Sequence, residues 1–260
     1  MPRRLGAVNW LGLWTLYVRE VRRFAKVATQ TLLSPLVTTL LYLLIFSLAL
    51  GRSLPLLGGV TYAQFLVPGL AMMSMVQNSF ANTSSSIVIA KIQGNIVDIL
   101  MPPLSAGELT LALAAGGLTR GLTVGLVTIV AVSIFVPLPI HSWFFLLFHA
   151  VAASLMLSLI GILAALWAEK FDQMAAVTNF VITPLSFLSG AFYSTERLPD
   201  LWRSLAHLNP FFYMIDGFRY GFIGHADGSL GAGLAVLAAA DILLWLVTWR
   251  LIHKGYKLRP

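Results

Sequence analysis

Between Thr31 and Leu50 the chain runs for twenty residues without one charged side chain, and no other feature limits its folding as strongly. About twenty apolar residues rising 1.5 Å each match a hydrocarbon core of about 30 Å. Inside lipid every backbone N–H and C=O has to be satisfied within the protein, which leaves helices or closed barrels. Barrel strands alternate over about ten residues, whereas the apolar runs here are longer and continuous. Composition agrees: 58% of the 260 residues are hydrophobic and 10% are charged, against about 25% charged in soluble domains. The chain therefore reads as an all-α integral membrane protein.

Six spans are expected, at 31–50, 62–84, 106–136, 142–168, 174–193 and 230–252, in a single domain covering 1–260. Ahead of them, within residues 1–30, Trp10, Leu13, Trp14, Tyr17, Val21, Phe24 and Ala28 share one helical face. Arg19, Arg22, Arg23 and Lys26 take the opposite one, a pattern suited to lying in the membrane interface. Residues 87–104 are too short and polar to cross; Ile89, Ile92, Ile96 and Leu100 form one helical face, and Pro102–Pro103 ends it. Ser105 and Glu108 form a capping box that opens the third span. Gly117, Gly121 and Gly125 follow along that span at the four-residue spacing that admits a neighbouring helix closely. Residues 194–229 are the longest non-spanning stretch. There Leu201, Trp202, Leu205 and Leu208 make a short apolar stripe, and Asn209–Pro210 reads as an N-cap with proline at the first helical position.

An even number of spans puts both termini on one side. Placing them in the cytoplasm leaves Arg52, Arg197, Arg203 and Arg219 outside and most other basic residues inside, as the positive-inside bias requires. The net charge of +7 then points to anionic headgroups rather than to nucleic acid. Cysteine is absent, which excludes disulfides and thiolate chemistry.

No catalytic cluster is legible. The sequence lacks H-E-x-x-H, G-x-S-x-G and the G-x-x-x-x-G-K-[ST] phosphate loop, and the five histidines have no ligand spacing, so no metal site is expected. Gly224 to Gly228 reads as a turn. Polar residues inside the spans are more informative, because their burial in lipid is costly. Ser74, Asn78, Asn82 and Ser85 share a face of the second span, for interhelical hydrogen bonding or a hydrated path. Arg120 and Asp241 are intramembrane charges and candidate partners.

The stretch Pro184-Leu-Ser-Phe-Leu-Ser-Gly190-Ala-Phe-Tyr193, followed by Leu198-Pro199 and Asn209-Pro210, closely resembles the signature of the ABC-2 type permeases, membrane subunits of bacterial ABC exporters. Gly94 to Ser105 resembles that family's segment between spans two and three. The resemblance implies residence in the bacterial inner membrane, a homodimer, and a separate ATP-binding subunit that carries the ATP and Mg, with no cofactor on this chain. It implies a coupling helix at 87–104 that contacts the ATPase through Lys91, Gln93, Asn95 and Asp98. Many relatives carry acidic residues where this chain has Gln93 and Val97. External helices within 194–229 would gate the exit, with Gly190, Asn209, Pro210, Asp216 and Arg219 among the gate residues. An amphipathic substrate (lipid, glycolipid or polysaccharide, or drug) would pass Ser74, Asn78, Asn82, Asn179 and Thr183. The alternative is an ion-coupled secondary transporter or channel using Asp241, which would act without an ATPase.

Overall fold

The computed structural model describes residues 8–50 and 60–258; the connection between the first two expected spans, at 51–59, lies outside them. The described chain is helical. In order come α1 (Trp10–Ala25), α2 (Ala28–Leu50), α3 (Tyr62–Ile92), α4 (Ile96–Leu100), α5 (Ala106–Ser133) and α6 (Trp143–Trp167). These are followed by α7 (Phe171–Val177), a π turn (Thr178–Ile182), α8 (Thr183–Phe187), a 3-10 turn (Thr195–Arg197), α9 (Asp200–Leu208), α10 (Pro210–Ile223) and α11 (Leu230–His253).

Four of these, α2, α5, α6 and α11, are long and apolar enough to cross a membrane. α3 has 31 residues, about 46 Å of helix, but it carries the polar face noted above. It compensates by being enclosed, packed by α5, α6, α10 and α2 and hydrogen-bonded to α1. Its core is Phe65, Leu66, Leu70, Met72, Met75 and Phe80, each nearly inaccessible. α2 and α11 sit at the periphery, with most of their apolar side chains uncovered.

Glycine lets α5 approach this core. A Cβ on Gly117 would lie 2.2 Å from Ser158 Oγ, and one on Gly121 would lie 2.0 Å from Ser79 Oγ. At Gly125 it would meet Met75 at 2.4 Å. Polar side chains stitch the same seam: Thr83 donates to the Ser158 carbonyl at 2.8 Å and Ser158 to that of Ala114 at 2.9 Å. Buried hydroxyls that find a carbonyl across a helix pair cost little and fix its register.

Both capping signals in the sequence are realised. Ser105 accepts from Glu108 N at 3.3 Å while the Glu108 carboxylate accepts from Ser105 N at 2.6 Å. Asn209 accepts from Phe211 N at 3.0 Å and α10 starts on Pro210.

Two elements depart from expectation. Residues 87–104 are not one helix: α3 continues to Ile92, beyond the expected end at 84, and the chain turns at Gly94 (φ 74°) before the short α4. The left-handed φ at Gly94 is the break. The segment expected at 174–193 begins at Phe171 and ends as helix at Phe187, because the chain reverses at Gly190 (φ 75°). Within it the ladder widens, Thr183 N bonding to Thr178 O. Pro184 explains this: it has no N–H and its ring crowds the carbonyl four residues back, and a widened turn relieves that clash.

Candidate functional site

At the α4 end of the bundle, Gln93, Asn95 and Asp98 are exposed on the Gly94 turn and on α4, whereas Ile96 and Ile99 face inward. Lys91, grouped with them from sequence, is turned away. Its ammonium donates to the carbonyls of Ala165, Leu166 and Ala168 at 3.1, 3.0 and 2.6 Å, so it caps the last turn of α6. Beside α4 a cleft of about 310 Å³ runs along α1, with Arg19 and Asp98 among its lining. On the other flank Lys257 bridges to Glu169 at 2.9 Å. That contact holds the Glu169 carboxyl below its ordinary pKa.

α1 is bound to the bundle by charge as well as by apolar contact. Leu16, Glu20 and Phe24 recur every fourth residue and are buried, while Trp10, Leu11 and Trp14 stay exposed. Glu20, 1% exposed, accepts from Ser86 Oγ at 2.8 Å and pairs with Arg23 at 3.2 Å. Arg23 donates onward to Ser85 Oγ at 3.1 Å and to Asn82 at its backbone O (2.5 Å) and Oδ1 (3.0 Å). Gly116 makes room, since a Cβ there would lie 2.6 Å from Glu20 Cβ. By its spacing Arg23 belongs to the basic face of an interfacial helix, and no role for Glu20 is evident from the sequence. The available signal was an acid in a basic helix, in register with Leu16 and Phe24.

In the middle of the bundle the polar face of α3 is occupied. Ser74 shares a hydrogen bond with Thr39 of α2 at 3.1 Å, and Asn78 Oδ1 accepts from Arg120 Nε and Nη2 at 3.2 and 2.9 Å. Asn82 holds Arg23. These three bind helices together. Arg120 therefore bonds to Asn78, and the pairing with Asp241 is not made; Asp241 Oδ1 has no hydrogen-bond partner among the described residues. Asn179 is exposed and Thr183 half-exposed on the π turn and α8, near Phe180, which is 82% exposed.

At the α9 end, of the residues named from sequence, Arg219 meets Gly190, while Asn209 and Asp216 bond to other backbone groups. Arg219, 1% exposed, donates to the Gly190 carbonyl at 2.7 Å and the Phe65 carbonyl at 3.3 Å, and its guanidinium sits 3.7 Å from the centre of the Phe65 ring. Asn209 Nδ2 donates to the Leu185 carbonyl at 2.8 Å. Asp216 accepts from the backbone N–H groups of Asp227 and Gly228 at 2.8 and 3.0 Å. Backbone polar groups released by the chain reversal at Gly190 and by the turn after α10 are satisfied by these buried side chains.

Residues 12–223 match the profile of the ABC-2 type transporter family. The inner membrane transport permease YadH of Escherichia coli (strain K12) is 40% identical over 250 residues, covering 96% of this chain and 98% of the relative. Nodulation protein J of Neorhizobium galegae is 26% identical over 258 residues, covering 96% and 94%. Nodulation protein J of Rhizobium leguminosarum bv. trifolii is 27% identical over 225 residues, covering 85% and 83%. With a helical bundle built to cross a membrane and a profile match spanning most of its length, the chain belongs to the ABC-2 type transporter family, as an inner-membrane transport permease and the membrane subunit of an ABC transporter.

Proposed function

We propose that this chain is the permease half of an exporter whose two copies enclose a path for an amphipathic substrate, driven by ATP hydrolysis on a separate subunit. The observation that carries this reading is the continuity of α3. It runs from the buried core beside Arg219 and the Gly190 turn down to the exposed Gly94 turn and α4. α1 is bonded to its lower half through Glu20 and Arg23. A stiff, laterally braced helix with an exposed tip transmits a displacement along its length; a loop would absorb it. In this reading the ATP-binding subunit grips Gln93, Asn95 and Asp98, and Lys91 supports the site from within by holding the end of α6.

All six segments cross the bilayer in this reading, with both termini in the cytoplasm. α3 crosses because its polar groups are paired inside the protein, and α7, the π turn and α8 together make the fifth span. α9 lies on the outer interface, where Leu201, Trp202, Leu205 and Leu208 are all exposed. The substrate passes between two copies past the Asn179–Thr183 face. The apolar surroundings support an amphipathic substrate, a lipid, a glycolipid or polysaccharide, or a drug.

Co-purification from native membranes in mild detergent tests the reading. A nucleotide-binding subunit in equal stoichiometry, with ATPase activity that Asp98→Ala uncouples, is the expected outcome. A chain isolated alone, active in vesicles under an ion gradient but not with ATP, would replace it with the Asp241-based secondary transporter.

A further inference from the structure

Two acidic side chains and one imidazole converge at the α9 end. Glu196 of the 3-10 turn and His225 and Asp227 of the α10–α11 turn each bring a ligand atom within 4.8 Å of the others. His225 Nε2 lies 3.1 Å from Asp227 Oδ1. From this geometry we infer a binding site for a divalent transition ion of the zinc class, made by Glu196, His225 and Asp227 and joining the segment after α8 to the turn before α11.

The backbone around the site is held in advance. Asp227 Oδ2 accepts from Thr195 N at 2.6 Å and Thr195 Oγ1 at 3.2 Å, which turns Oδ1 toward His225 Nε2. Asp216 fixes the N–H groups of Asp227 and Gly228, and Ser194 Oγ accepts from Glu196 N at 3.3 Å. The Asp227 side chain is fully buried and that of His225 is one-third exposed, whereas Glu196 is exposed and free to swing. Metal–ligand bonds of about 2.0–2.2 Å in a tetrahedron hold ligand atoms roughly 3.3–3.6 Å apart. The His225–Asp227 pair is already near that spacing, and Glu196 needs a rotation to reach it.

Electrostatics makes the same demand. Two carboxylates face one imidazole, and among the described residues no lysine or arginine bonds to either carboxylate. Arg203 donates to the carbonyls of Glu196 and Leu198, and Arg219 donates to those of Phe65 and Gly190 while its charge acts on Asp216 and Asp227 from a distance. A divalent cation would offset this concentration of negative charge. An imidazole with two carboxylates suits zinc, nickel or manganese rather than calcium or magnesium, which prefer oxygen alone. Three protein ligands leave a fourth position for water.

The test titrates zinc chloride into the purified full-length chain in detergent, with calorimetry and thermal unfolding as readouts. One zinc per chain and a zinc-dependent rise in Tm are expected. His225→Gln and Glu196→Gln should each weaken binding at least about tenfold and remove the Tm rise. Both side chains are wholly or partly solvent-facing, so the variants should fold, and zinc-free Tm values close to the parent's would establish it. No zinc-dependent stabilisation of the parent chain, or stabilisation that both variants retain, would overturn the site. Neither readout depends on transport or on ATP.

Discussion

Glu20 sits at 1% exposure in a helix otherwise rich in arginine, and its carboxylate is tolerable there because Arg23 and Ser86 both reach it. Removing one partner of a buried pair costs about 3–5 kcal/mol when both ions are enclosed. Arg23 keeps about a third of its surface, so Glu20→Ala should cost nearer ~2 kcal/mol after solvent screening. The cost of Glu20→Ala/Arg23→Ala should fall short of the sum of the singles, measured as a double-mutant cycle on thermal unfolding in detergent. Additivity would mean that the pair does not couple. Glycine gives a second case: Gly121→Ala should destabilise by about 1–3 kcal/mol, because the new Cβ meets the Met75 carbonyl at 3.0 Å as well as Ser79 Oγ and Ser154 Oγ. Gly125→Ala should cost less, since the obstruction is the flexible Met75 side chain. The close approach at Gly117, Gly121 and Gly125 was legible from spacing alone. The partners of Asn78 and Arg120 were not, because which polar groups meet depends on helix rotation and depth, and a one-dimensional pattern carries neither.

At the scale of elements, α3 and the turn that follows it divide into a supporting and an exposed part. Lys91→Met should lower Tm by several degrees by stripping the Ala165, Leu166 and Ala168 carbonyls of their cation. Asp98→Ala should leave Tm unchanged while reducing transport-coupled ATPase activity in the assembled complex. If both variants behave alike in the two assays, the division between support and contact is wrong. Helix starts were readable at Ser105 and Asn209, where a side chain caps the backbone locally. The break at Gly94 and the π turn before Pro184 were not anticipated, although the residues responsible were in view. A glycine or a proline in a helical pattern says that the ladder is perturbed there, but the neighbouring packing decides whether it breaks, widens or bends.

Seen as a whole, the single chain leaves α2, the α7–α8 face and α11 with large apolar side chains uncovered. Lipid can cover Phe180, Leu44 or Leu243, but an exposed Asn179 in the same surroundings is costly to leave in hydrocarbon. The two-copy arrangement proposed above resolves this by turning the Asn179 face inward. Because the chain has no native cysteine, Asn179→Cys gives a clean test. It should cross-link to a dimer in membranes under mild oxidation, whereas Leu243→Cys on α11 should stay monomeric. The reverse pattern would place the partner copy against α11. That the chain crosses a membrane was plain from hydropathy, since burial of apolar length is an average over many residues. A pathway between copies belongs to an assembly, and no single-chain pattern encodes its lining.

The Glu108 carboxylate spans two helix starts, accepting from Ser105 N with one oxygen and from Asn9 N at 2.5 Å with the other. Neither α1 nor α5 can fray at its first turn without releasing a group the other start depends on, so the two termini open as one unit. Amide hydrogen exchange would register this as matched rates at Asn9 and Ser105, ninety-six positions apart along the chain. Replacing Glu108 with glutamine leaves one carbonyl oxygen for two donors. The two rates should then separate, with whichever amide loses the contest exchanging first.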